Sequence, residues 1–444
     1  MVLCGLVRGD TDLEAQFHNP PDSSRPGVYW YFMDGNLSGE GMTADLESMQ
    51  KVGIGNLVFL EVNVGVPRGP VDFMSDQWQQ LFAHAVHEAE RLGIDITLGV
   101  GPGWTGSGGP WVRPEQSMQH LVFSTTEVKG PKKIDAVLDL PEQRSTEWHR
   151  MRDAYYKDFA VYAFAACKPV VSDINEKALY ERDPYTSKKG VKPYLPAPAC
   201  YREPEQKEII SINTMRDLTQ HMDPNGRLQW DVPEGTWTIL RTGSRSTGAA
   251  TRPAPEPGVG LECDKFDPAA FDAHFENFIV KLLKKIGPRS ENHGWTTLHM
   301  DSWEMGAQNW TPNFCREFKN RRGYDPKPYL PAYSGRVVES MEKTERFLWD
   351  VRLTCQELVL DYHASRIKEL GRKHGFELSI EPYDMNPTAD LDLGSVADVP
   401  MCEFWSSEFG FDSSFSCIEA ASIAHTTGRP IVSSESFTAL PAER

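Results

Sequence analysis

No run of 18 apolar residues occurs in the 444-residue sequence, so no segment reads as a membrane-spanning helix. Basic residues are few beside acidic ones: 46 Lys and Arg against 63 Asp and Glu leave a formal net charge of −17. A surface of that sign repels phosphate, so neither nucleic acid nor an anionic membrane is an expected partner. The eight cysteines include no C-x2-C pair, and no Cys/His cluster has zinc-site spacing. They read as buried thiols or occasional bridges and leave the compartment open. Residues 1–8 (MVLCGLVR) lack a basic n-region and an apolar h-region long enough for a signal peptide. No G-x-G-x-x-G follows the first predicted strand, which weakens a dinucleotide-binding fold.

Apolar and aromatic material, by contrast, is ample. Hydrophobic residues make up 40% of the chain, with 12 Trp, 14 Tyr and 21 Phe, enough for a sizeable core. The length fits two domains or one elaborated barrel. One unit recurs: an amphipathic helix, a turn containing glycine, then a short apolar strand ending in polar residues. Residues 76–92 place Trp78, Leu81, Phe82, Ala85, Val86, Ala89 and Leu92 at helical spacing; Gly93 ends the helix and IDITLGVG follows. Helices over 43–52, 270–286, 340–374 and 417–427 lead into strands in the same way. The predicted strands are 29–33, 56–62, 94–101, 295–301, 376–382, 398–404 and 430–435. Parallel strands alternating with helices predict an α/β fold of the (β/α)8 TIM-barrel type. An eighth strand is either hidden within an insertion or absent as a closing βα unit; the second reading is preferred.

About 190 residues separate the third and fourth predicted strands. Within them LVFSTTEV, KIDAVLDLP, FAVYAFAA, EIISI, RLQWDV and GTWTILRTG show period-two alternation, with turns such as Pro233-Glu234-Gly235 between them. This predicts an inserted β-rich, sandwich-like domain over 120–250, flanked by barrel segments 20–119 and 251–444, with a Pro- and charge-rich loop over 181–206.

Barrel enzymes work at the C-terminal ends of their strands. Here those ends carry Asp34-Gly35-Asn36, Glu61, Gly101-Pro102-Gly103-Trp104, Asp301-Ser302-Trp303-Glu304, Glu381, Glu403 and Glu435. Glutamate at the same point of so many apolar strands suits glycoside hydrolysis by paired carboxyls or chemistry assisted by a bound metal. Trp104, Trp111, Trp303, Trp310, Phe404, Trp405 and Phe437 flank the same ends, and such rings suit a sugar. Glu304 reads as the general acid, its proton affinity raised by Trp303 beside it. Glu435 reads as the base, ending a strand in which Ile431 and Val432 are core. Which of the two is acid and which is base is not fixed by the sequence. Glu381 and Glu403 are either metal ligands or groups that orient the pair, Glu61 is a supporting acid, and His299 is an interior histidine. The glycine-rich run over 106–109 reads as a flexible loop shaping the pocket.

Four stretches, GVYWYFMDGNLSGEGMTADLESMQKVGIG (27–55), GPGWTGSGGPWVRPEQSMQHLV (101–122), HMDSWEMGAQNWTPNFCREFKNRRGYDPKPYLPA (299–332) and SSESFT (433–438), resemble glycoside hydrolase family 106, the α-L-rhamnosidases. The resemblance covers 27–122 and about 260–438. It implies a (β/α)8 catalytic barrel, an inverting mechanism, a Ca2+ at the sugar site and secretion. It places Glu304 and Glu435 on the catalytic pair and Asp301 and Glu403 on further active-site acids. Asp301, Trp104, Trp303, Trp111 and Asn36 are the substrate-binding candidates, and Glu403 and Glu381 the metal candidates. Family members usually continue into C-terminal β-domains, so the chain reads as an N-terminal catalytic portion. The expected activity is removal of terminal α-L-rhamnose from plant polysaccharides or glycosides. Two other readings stand beside it: a truncated, inactive sugar-binding remnant, and a metal-dependent lyase or aldolase barrel.

Overall fold

A computed structural model of the chain describes residues 13–142, 151, 154–181, 203–290, 292–382, 388–406 and 413–439. Residues 1–8 and most of the stretch 181–206 lie outside the described residues. Helices form where spacing and caps agree. Helix α1 (Gly39–Lys51) starts at Ser38, whose hydroxyl accepts the Gly41 N–H; α2 (Asp76–Leu92) starts at Ser75, which accepts that of Trp78. Gly93 closes α2 at a φ of 68°, a left-handed conformation that costs glycine little. The long helices over 268–286 and 341–373 each contain one π turn, at Glu276–Val280 and Leu360–Ala364.

Seven strands form one parallel sheet, each beside its neighbour in chain order: β1 (Gly27–Met33), β2 (Asn56–Val62), β3 (Asp95–Gly99), β8 (Gly294–Met300), β9 (Glu377–Ile380), β10 (Val399–Trp405) and β11 (Ser433–Thr438). The fold is mixed α/β. All seven predicted strands are present, with ends shifted by a few residues. The sheet curls until its edge strands face each other: the Tyr29 hydroxyl of β1 donates to Glu435 of β11 at 2.8 Å. Among the described residues no strand pairs β1 with β11, so these seven do not make a closed eight-stranded ring.

Alternation along the strands sorts side chains between two faces. On β1 and β2, Trp30, Phe32 and Phe59 turn outward, where Phe59 meets Trp78 and Phe82 of α2 edge-on at 6.2 and 5.1 Å. On β8 a bulge between Trp295 and Thr297 shifts the alternation. Trp295 therefore packs outward on Phe82 and Phe376, at 5.3 and 4.6 Å, while His299 turns inward.

Residues after β3 form a second, antiparallel sheet from β4 (Gln119–Val137), β5 (Tyr156–Ala165), β6 (Arg216–Asp217) and β7 (Arg227–Ser246), in the order β4-β7-β5-β6. Its ends meet, because Gln119 at the start of β4 pairs with Ser246 at the end of β7. The insertion thus leaves and re-enters the main fold at one place. Three features of the insertion differ from the expectation. Among the described residues it is one sheet, not two packed sheets. Pro233-Glu234-Gly235 is no turn: β7 runs through it, and the ladder with β4 absorbs the irregularity as a register shift between Gly130 and Lys132. Ile209–Ile210 of the EIISI segment pair with Val337–Val338 instead of joining this sheet.

Candidate active site

The inward positions of the curled sheet are where the acids gather. On β8 and β9, His299 and Ser379 hydrogen-bond across adjacent strands at 3.2 Å, which fixes both on the inner face. Asp301 and Glu381, each two residues further on, follow them inward. Glu403 of β10 pairs in register with Glu435 of β11. Each oxygen of Glu435 has a donor: Tyr29 at 2.8 Å and Thr438 at 2.9 Å. Asp301 is held by His299 Nε2 at 3.1 Å and by the Ser302 N–H at 2.8 Å.

Four carboxyl groups so placed cannot all ionise freely. Burial, then the charges of Asp301 and Glu403, push Glu435 up to about 7. Glu381 is raised well above the usual carboxyl range, first by burial and then by Asp301, Glu435 and Glu403. Both its oxygens are buried without a hydrogen-bond donor. A proton held towards Asp301 would relieve that charge. The rings of Tyr29 and Tyr31 stack at 5.2 Å and 7° on the same side, and burial followed by these acids raises both phenols.

Glu304 stands on the loop beyond β8, its side chain 30% exposed. The Arg252 guanidinium binds its carboxylate at 2.7 Å and its backbone carbonyl at 3.3 Å. Arg252 is itself fixed, because its carbonyl accepts the N–H groups of Trp104 and Thr105 at 3.2 and 3.1 Å. Trp303, expected to shelter Glu304, turns into the core: its indole is 2% exposed and donates to the Gly306 carbonyl at 2.6 Å.

Comparison with known proteins bears on this arrangement. The sequence profile of the glycoside hydrolase 106 family, described as alpha-L-rhamnosidase, matches residues 18–443. The chain belongs to that family. A Formosa agariphila protein provisionally named a beta-glucuronidase is 39% identical over 439 residues, 98% of this chain and 36% of its own length. The solved structure of a rhamnosidase from Novosphingobium sp. PP1Y superposes with a TM-score of 0.80 at 24% identity, covering 96% of this chain and 53% of that one; the likeness speaks to the fold. The chain thus spans about a third and about half of the lengths of these two relatives.

Within this glycoside hydrolase fold, several expected site residues do other work. Trp111 donates to His274 Nδ1 at 3.0 Å and stacks on Phe278 at 5.7 Å, which makes it packing. Asn36 spends its amide on the carbonyls of Met33 and Pro67, at 2.7 and 3.0 Å, and holds a turn. Trp104 is half-buried beside Arg252 and remains at the rim. Glu61 shares the outward face of β2 with Phe59; it accepts the Trp78 indole N–H and the Gly35 N–H, and burial pushes it up to about 7. The glycine-rich run is a buried bridge, Gly108–Gly109 pairing with Leu261–Glu262, and not a flexible loop. Ile431 and Val432 precede β11 and are 44% and 38% exposed, so Glu435 sits within its strand, not at the end of a core segment.

A divalent cation would also relieve the acid cluster. Among the described residues, however, no three His, Cys, Asp or Glu side chains are arranged to hold one, Glu381 and Glu403 included. Tyr29, Tyr31 and Arg252 were not anticipated. Alternation in YWYFM would have put both tyrosines on one face, whereas nothing in the sequence ties Arg252 to Glu304.

Proposed function

We propose that the chain is the catalytic portion of an inverting glycosidase that removes terminal α-L-rhamnose from a larger glycoside. What carries the reading is the convergence of Asp301, Glu381, Glu403 and Glu435 on the inner face of the sheet, in a chain of this family. In it, Glu304 protonates the glycosidic oxygen and Glu435 takes the proton of the attacking water. Burial, and then the neighbouring acids, raise the proton affinity of Glu435, which is what a base near neutrality needs. Glu304 lies at the open rim, where a leaving group can depart; it must leave Arg252 and carry a proton before it can donate one to that oxygen. His299 and Ser302 hold Asp301, which is left to accept from a sugar hydroxyl. Trp104, the half-buried aromatic at the rim, offers the sugar a face.

We read the curled sheet as the greater part of a (β/α)8-type barrel, spanning 20–119 and 251–444, with 120–250 as an inserted unit. Calcium, which the family resemblance implies, is kept as a proposal for the acid cluster as a whole; Glu381 and Glu403 alone do not form a site for it, since no three of the described acidic, histidine or cysteine side chains are arranged to hold a cation. A rise in Tm with Ca2+ that EDTA reverses is the expected sign.

The main test is turnover of aryl and natural rhamnosides by Glu304→Gln and Glu435→Gln. Loss of the acid should slow natural substrates far more than activated aryl ones. Loss of the base should slow both, with rescue by azide. The opposite pattern exchanges the two roles. The name of the Formosa relative makes aryl β-glucuronides the necessary second substrate: turnover of these alone would replace the rhamnoside reading. Rhamnose binding without turnover of either would mark an inactive sugar-binding remnant.

A further inference from the structure

We propose that Cys402 and Cys417 form a disulfide site that ties the last helix, α3 (Ser413–Thr427), to the strand carrying Glu403. Both thiols are free in this structure, and their sulfurs lie 3.6 Å apart. Among the described cysteines this is the one pair whose sulfurs meet; Cys4 and Cys200 lie outside the described residues. The neighbouring backbone is already pinned, because the Ser416 hydroxyl donates to the Glu403 carbonyl at 2.7 Å. Each partner of that bond adjoins one of the cysteines. A disulfide needs its sulfurs at about 2.05 Å, so the two side chains must close the remaining gap.

Accessibility sets the order of events. Cys417 is half-buried, whereas Cys402 is buried against the Ser433 carbonyl at 3.6 Å. An oxidant therefore meets Cys417 first. With oxidised glutathione, the Cys417 thiolate attacks one sulfur of the glutathione disulfide. A mixed disulfide forms and one glutathione thiolate leaves. The Cys402 thiolate then attacks Sγ of Cys417, forming the internal bond and expelling the second glutathione thiolate. The two protons released by the cysteines end on the two glutathione thiols, and glutathione disulfide is the species reduced.

The bond would close the span 402–417, which leads from the Glu403 strand into the helix before the Glu435 strand. The test incubates the purified chain with oxidised glutathione, alkylates it under denaturing conditions and cleaves it after glutamate. Cuts at Glu403 and Glu408 separate the two cysteines. We expect an unalkylated cross-linked pair of peptides and a rise in Tm of about 5 °C that dithiothreitol reverses. Cys402→Ser and Cys417→Ser should each keep the reduced Tm and lose the rise; Cys402→Ala serves if serine at the buried position lowers the reduced value. Full alkylation of both residues after oxidation would overturn the proposal. So would a stable glutathione adduct on Cys417 without a cross-link, or a rise that survives in Cys417→Ser.

Discussion

Glu435 is asked to serve stability and reactivity in opposite directions. Its carboxyl sits at about 7 in the fold, against 4.5 for an ordinary glutamate, mainly because burial disfavours the charge. A folded-state value above the unfolded one means that folding favours the protonated form. The stability this group contributes is present below about 4.5 and is lost as pH rises through about 7. Glu61, also near 7, adds to the same slope. Tm should therefore fall between pH 5 and pH 8. In Glu435→Gln part of the fall should vanish, leaving the variant more stable than the parent at pH 8 by up to about 3 kcal/mol. Turnover should drop in the same variant by roughly 10²–10⁴-fold. Equal Tm slopes in parent and variant would show that Glu435 is not the group titrating. Arg252 has a separate consequence. With Arg252→Met, Glu304 loses the group that fixes its position, and kcat should fall by about tenfold or more with the fold intact by circular dichroism. An unchanged kcat would reduce the ion pair to a surface contact.

Identity of the acids was readable residue by residue; their surroundings were not. Asp301 and Glu381 stand just beyond apolar strands and Glu403 and Glu435 within theirs, and strand alternation with in-register pairing gathers them on one face. Trp303 misled because adjacency in sequence says nothing about which way a loop side chain turns. Its indole found the Gly306 carbonyl and the core.

Elements set by local chemistry came through, and elements set by distant pairing did not. Helix α2 is bounded by Ser75 and Gly93, of which Gly93 is plain in the sequence. Replacing the cap, Ser75→Ala, should cost about 1 kcal/mol in denaturant unfolding. The glycine-rich run is the contrary case. Locally it looks mobile, yet Leu261–Glu262, far along the chain, returns to pair with it. A Cβ on Gly108 would lie 2.5 Å from the Leu261 carbonyl oxygen and 2.8 Å from a Thr251 methyl. Gly108→Ala should therefore cost about 1–3 kcal/mol, as overpacking does, although φ there is not left-handed. A silent substitution would mean that the bridge opens at no cost. Pro233-Glu234-Gly235 fails as a turn for the same reason: the β4–β7 ladder is long enough to carry an irregularity through.

At the scale of the whole molecule, the curled sheet leaves apolar side chains around its seventh strand. Phe437 is 73% exposed, Ile418 of the adjoining helix 66%, and Ile431 and Val432 follow at 44% and 38%. They surround a strand that, among the described residues, pairs on one side only. An edge strand flanked by exposed apolar groups invites pairing with a second copy. The net charge of −17 opposes association at low salt, but at physiological ionic strength its reach shrinks to about 8 Å. We therefore expect this 444-residue chain to self-associate, and to do so more as salt rises. Sedimentation velocity at two salt concentrations would show it directly. Val432→Lys together with Phe437→Lys should return the chain to monomer, since a charge on an edge strand is costly to bury against a copy. If the parent is already monomeric at high salt, this edge is not an association surface.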